Sequence, residues 1–139
     1  MKKPVTISLM LLSSLPLSAY AVQVKNPKCS ELTKVSDKYT PEYLAVVDGF
    51  NRSGKEVTEE VDMGGIVAQS SSVKDQCKTK KNAKLNAVRK SLSKSEPMTT
   101  ADAKASSSIS PVKAKCQDFI NLGEEFQPVA VSWVAGHSK

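Results

Sequence analysis

Three cysteines, at positions 29, 77 and 116, are the residues of this 139-residue chain best suited to covalent chemistry. In an oxidising compartment two of them can close a disulfide, and the third is left over. As a nucleophile Cys116 has no base placed by the sequence to activate it. The sole histidine, His137, has Ser132 and Ser138 nearby but neither an acid partner nor the glycine pattern of a nucleophile elbow. One histidine also supplies no metal site, which needs several ligands at workable spacing. The residues point away from an enzyme, and no metal or cofactor is expected.

The remaining chemistry is charge and proton uptake. The 20 Lys and Arg residues outnumber 14 Asp and Glu, for a formal charge of +6. Basic residues crowd into one run (Lys74, Lys78, Lys80, Lys81, Lys84, Arg89, Lys90, Lys94), while acids gather at Glu56, Glu59, Glu60 and Asp62. Such a run can bind a phosphate-rich partner, but no aromatic residues interleave with it, so a solvated helix face is the simpler reading and nucleic acid is not an expected partner.

Export sets the context for these groups. Residues 1–21 read as a signal peptide: Lys2 and Lys3, an apolar stretch from Val5 to Leu17, then Ala19-Tyr20-Ala21 as a small-x-small cleavage site. The apolar run is shorter than the roughly 18 to 20 residues of a membrane span, and stable membrane insertion is not expected. The lysine start and short apolar core suit a bacterial signal to the periplasm, where disulfides form. Loss of Lys2 and Lys3 leaves 18 basic and 14 acidic residues, a net of +4 that rises to +18 when every carboxylate is protonated. Self-repulsion of that size expands compact states.

The elements that would position these groups are helical. Leu32, Val35 and Tyr39 share one helical face. Thr40-Pro41 reads as an N-cap followed by a first-turn proline, and Tyr43, Val46, Val47 and Phe50 form a one-sided stripe. Residues 51–54 and the Gly64-Gly65 pair read as breaks. A last helix is expected from Val73 to Leu92. No segment alternates with period two, so the fold class is all-α: a small single-disulfide helical domain over 22–92, a flexible Ser/Ala/Pro-rich linker over 93–112, and a short helical partial repeat over 113–139.

That repeat appears when the chain is shifted by 87 residues: Cys29 falls on Cys116, Leu32 on Phe119, Tyr39 on Phe126, Pro41 on Pro128, Val47 on Val134 and Gly49 on Gly136. The counterpart of Cys77 would fall near position 164, past Lys139. Cys29 and Cys77 are therefore the natural pair and Cys116 the unpaired thiol. The second copy leaves Phe119, Leu122, Phe126, Val131 and Trp133 without a core of their own. It can be disordered, pack on the first domain, or complete another chain by exchange through Cys116. A mobile or weakly docked helical tail is the favoured expectation.

The text Cys116-Gln-Asp118-Phe119-Ile120, followed by Glu124-Glu125-Phe126-Gln127-Pro128-Val129-Ala130-Val131, resembles the opening of the HdeA/HdeB-type periplasmic acid-stress chaperones. The first copy resembles the family over residues 26–92, through Cys29-x-Glu31-Leu32, the Pro41 helix, Gly65-Ile66 and Cys77 before a Lys-rich helix. The resemblance implies an all-helical domain with a Cys29–Cys77 disulfide, a homodimer near neutral pH, and an ATP-independent holdase that loosens in acid and binds acid-denatured periplasmic proteins. In that mechanism Tyr39, Tyr43, Leu44, Val46, Val47 and Phe50 are the client-binding apolar residues. Asp37, Glu42, Asp48, Glu59, Glu60 and Asp62, close to the stripe or the turn, are the candidate pH sensors. The competing reading is a secreted basic adaptor that recognises an anionic surface or partner.

Overall fold

The computed structural model describes residues 25–93, 107–111 and 113–139. The expected signal peptide and residues 94–106 of the expected linker lie outside the described residues. In chain order the elements are α1 (Cys29–Leu32), a 3₁₀ turn (Asp37–Tyr39), α2 (Thr40–Asn51), β1 (Val61–Asp62), α3 (Met63–Thr79), α4 (Leu85–Ser93), β2 (Ser108–Ile109), α5 (Cys116–Ile120) and α6 (Gln127–His137). The architecture is helical, as the patterning requires. The exception is the antiparallel pairing of β1 with β2, Val61 opposite Ile109, which draws the end of the expected linker onto the first domain.

Local chemistry sets the helix boundaries. Pro41 lies in the first turn of α2, where its missing N–H forfeits no helical bond. Tyr39 takes the cap position, and the Thr40 hydroxyl, one residue inside, donates to the Ser36 carbonyl at 3.0 Å. Helix α3 starts at Met63 and not near Val73, because the Asp62 carboxylate accepts from the Gly65 N–H at 2.8 Å and caps it there. The Gly64-Gly65 pair thus forms the first turn of a helix, not a break.

The single helix expected from Val73 to Leu92 is two helices, α3 and α4, interrupted over residues 80–84. Three of those five residues are lysines and one is Asn82, a poor composition for a helix interior. Their backbone is also engaged elsewhere. The Cys29 N–H donates to the Ala83 carbonyl, Ser30 N–H to Lys81 and Leu85 N–H to Pro27, so the break is where the start of the domain is tied down.

A disulfide joins Cys29 of α1 to Cys77 of α3, with Cα atoms 4.7 Å apart and 48 positions between them in sequence. Around it Leu32, Leu44, Val47, Val73 and Leu85 are fully or almost fully buried. Leu122, Val129, Ala130 and Trp133 of the second copy belong to the same core cluster. The C-terminal segment is therefore packed on the first domain, which differs from the mobile or weakly docked tail favoured by the sequence.

Candidate functional site

The packing of α6 on α2 is the most extensive contact between any two elements. It depends on one glycine from each copy. A Cβ built on Gly49 would fall under 3.0 Å from the Trp133 carbonyl oxygen, and a Cβ built on Gly136 under 3.0 Å from the Val46 carbonyl oxygen. Only the absence of those Cβ atoms lets the two backbones approach so closely. Gly49 and Gly136 are counterparts under the 87-residue shift, and so are Val46 and Trp133. Each glycine therefore meets the counterpart of the residue that its own counterpart meets. This reciprocity is the signature of a two-fold, self-complementary interface, here built inside one chain.

Trp133 is the anchor of the contact and is 0% exposed. Its indole N–H donates to Asp48 Oδ2 at 2.8 Å. Asp48 is also paired with Arg89 Nη1 at 3.2 Å and Arg52 Nε at 3.3 Å. One carboxylate thus ties together α2, α4 and α6. The His137 ring stacks on Trp133 with centroids 5.0 Å apart, and its Nε2 lies 3.2 Å from the Lys55 carbonyl oxygen. Buried aromatic surface with one satisfied polar handle makes Trp133 a strong and oriented anchor.

A second carboxylate holds α3 in place. Lys74 is largely buried, and its ammonium donates to the Val35 carbonyl and, at 2.5 Å, to Asp37 Oδ1. The Lys74 hydrogen bond, and then its charge, hold the Asp37 carboxyl below its ordinary value. The lysine side chain is 10% exposed and its partner 91% exposed. Protons therefore reach Asp37 freely, while the cation it neutralises has little access to water.

The other expected sensors have different surroundings. Asp62 is the α3 cap. Glu42, in the first turn of α2, keeps one carboxylate oxygen buried without a hydrogen-bond partner. Glu59 and Glu60 are exposed. Of the expected client-binding residues, Leu44 and Val47 are core, Tyr43, Val46 and Phe50 are part-buried, and Tyr39 is exposed with the Lys38 ammonium over its ring. Cys116 is free and exposed at the start of α5. Within the basic run Lys80, Lys81, Lys84 and Lys90 are exposed. Lys74, Lys78 and Arg89 are paired with Asp37, Asp75 and Asp48, and Lys94 lies outside the described residues.

Sequence reasoning missed Trp133, Gly49 and Gly136 as partners across one interface. The signal was present in the repeat: a glycine three residues after a position filled by Val46 in one copy and Trp133 in the other, on helices with the same proline start.

Comparison with protein families gives a match to the HdeA/HdeB family over residues 5–87 and again over 91–139, between them nearly the whole chain. The chain belongs to the HdeA/HdeB family. The two matches fit one full copy and a second, partial copy, joined within a few residues of each other. Comparison with curated proteins and with solved structures returns no significant match. The HdeA/HdeB family is one of periplasmic acid-stress chaperones. No helix among the described residues is long and apolar enough to cross a membrane.

Proposed function

We propose that this protein is an ATP-independent, acid-activated holdase of the bacterial periplasm, delivered there by residues 1–21 as a signal peptide. The observation that carries this reading is the α2–α6 contact: a buried tryptophan and part of an apolar stripe, closed against each other and fastened at Asp48. In acid the chain gains positive charge throughout, and this self-repulsion loosens the packed helices. Helix α6 then leaves α2. Tyr43, Val46, Phe50 and Trp133 become apolar surface for unfolding proteins, and Tyr39 is already exposed.

Asp37 adds a second acid-sensitive step. Its folded pKa is depressed, so the stability it supplies is complete above its unfolded value, about 3.9, and is lost as pH falls through the lower folded value. Protonation leaves Lys74 without its counter-charge and loosens α3. The Cys29–Cys77 disulfide keeps α1 and α3 joined meanwhile, so loosening stops short of a free coil. Because α6 fills the face of α2 that a second α2 would use in a two-fold pair, its release takes the role that dimer dissociation has in the mechanism the family suggests.

The basic-adaptor reading is weakened by the acidic partners that Lys74, Lys78 and Arg89 already hold, and rests on the exposed Lys80, Lys81, Lys84 and Lys90. Light scattering of an aggregating client at about pH 2 to 3 and at neutral pH tests the proposal. Protection confined to acid is the expected result, and no protection at either pH refutes it.

A further inference from the structure

Helix α2 packs against both α6 and α3. Leu44 and Val47, turned away from Val46 and Gly49 by the helical repeat, are 1% and 0% exposed. Their counterparts on α6 are Val131 and Val134, 56% and 50% exposed. The counterpart of Leu32 is Phe119, only part-buried where Leu32 is fully buried. These three residues, with Trp133 and Met63 among others, line a groove of about 210 Å³ whose lining side chains are all apolar.

The groove is smaller than the roughly 300–1,000 Å³ of a small-molecule site and has none of the convergent polar side chains such a site needs. It is shaped to take a few aliphatic side chains presented by a larger element. The first copy identifies that element as a helix: α3 buries Met63, Ile66, Ser70, Val73 and Cys77, spaced alternately three and four apart. The groove is also continuous with the core already formed by α2, α3 and α6, since Trp133 and Met63 belong to both. An occupant there extends an existing interface.

We propose that the outer face of α6 receives an amphipathic helix from another polypeptide, with aliphatic residues at the spacing of α3, in the position on α6 that α3 holds on α2. Recognition is of the helix-in-groove kind, read through anchors at i, i+3 and i+7. The inference goes beyond acid release. The groove is open while α6 is docked, so binding takes place at neutral pH.

The probe is a synthetic peptide of residues 63–79 with Cys77→Ser, which removes the option of a mixed disulfide with Cys116. It is titrated into the full chain at neutral pH. Trp133 is the only tryptophan of the chain, lines the groove, and has no counterpart in the peptide, so its emission reports occupancy directly. The expected result is a saturable one-to-one shift that a scrambled peptide does not produce, weakened at least about tenfold by Val134→Glu. Val134 is already half exposed, so thermal unfolding of the variant should match the parent; Val131→Lys provides the same test should Val134→Glu fail to fold. Absence of a saturable shift, or equal binding by both variants and parent, overturns the proposal. So does a neutral-pH dimer that Val134→Glu converts to monomer in sedimentation, which would make a second copy the occupant. None of these outcomes bears on aggregation assays in acid, so the holdase reading stands or falls separately.

Discussion

Gly136→Ala places a methyl group where the structure has no room for one. The added Cβ would lie 3.0 Å from the Val46 Cα and carbonyl carbon and closer still to its carbonyl oxygen. These are helical backbone atoms, so no rotamer change relieves the clash, and α6 must back away from α2. Overpacking of this kind costs about 1–3 kcal/mol, while alanine in place of glycine in a helix interior returns roughly 0.5–1 kcal/mol through chain entropy. The net loss falls on the docking of α6 and not on α2 itself. It acts against the burial of Trp133, which removes roughly 150–250 Å² from water and at about 25 cal/mol/Å² is worth about 4–6 kcal/mol as an upper bound. One variant should therefore weaken docking at neutral pH without abolishing it, and release should come at a higher pH. Trp133 emission followed from neutral pH into acid is the assay. Because the contact is reciprocal, Gly49→Ala should shift the release midpoint in the same direction, and the double variant should shift it further than either. Gly123→Ala is the control, since the nearest obstacle to its Cβ is the mobile end of the Glu125 side chain. Emission of Gly49→Ala and Gly136→Ala that titrates with the parent's would refute the close-approach argument.

Two further outcomes follow from the acid-sensitive ties and the crosslink. Asp37→Asn removes a carboxylate whose folded pKa is depressed, so stability at neutral pH should fall and its decline below about pH 4 should flatten; urea midpoints measured across that window check the sign, and an unchanged pH profile rules this pair out as a switch. Replacing Cys29 and Cys77 with serine opens a loop closed across 48 positions, worth about 4 kcal/mol in the chain-entropy model; chemical denaturation should show a loss of that order, and the acid state should be expanded beyond the parent's in small-angle scattering.

Much of the fold was legible where the signal is local or covalent. The proline-started helix, the apolar stripe and the repeat can be read from spacing, and the repeat in turn singled out Cys29 and Cys77. The break at residues 80–84 was harder, because the apolar positions Cys77, Leu85 and Val88 keep helical register across it. It arises from backbone bonds to Pro27, Cys29 and Ser30, more than fifty residues away in sequence. The β1–β2 pairing, two residues long, is too short to leave an alternating pattern. The firm docking of α6 is not legible in the sequence, because the second copy has no core of its own and Gly49 and Gly136 carry no apolar surface to mark them, yet their missing Cβ atoms set the distance at which Trp133 becomes buried. Among the candidate sensors, spacing alone could not separate Asp37 and Asp48, which hold partners on other helices, from Glu59 and Glu60, which lie exposed.

Carrying both halves of a self-complementary interface on one chain has a consequence in mass action. A dimer that separates in acid re-forms at a rate set by its abundance, and its midpoint shifts with concentration. Helix α6 belongs to the same polypeptide as α2, so its local concentration is fixed by the chain and not by expression level. The docking equilibrium then has no concentration dependence. The same pH would open the same fraction of molecules in a crowded or a dilute periplasm, and return to neutral pH would close each molecule without a search for a partner.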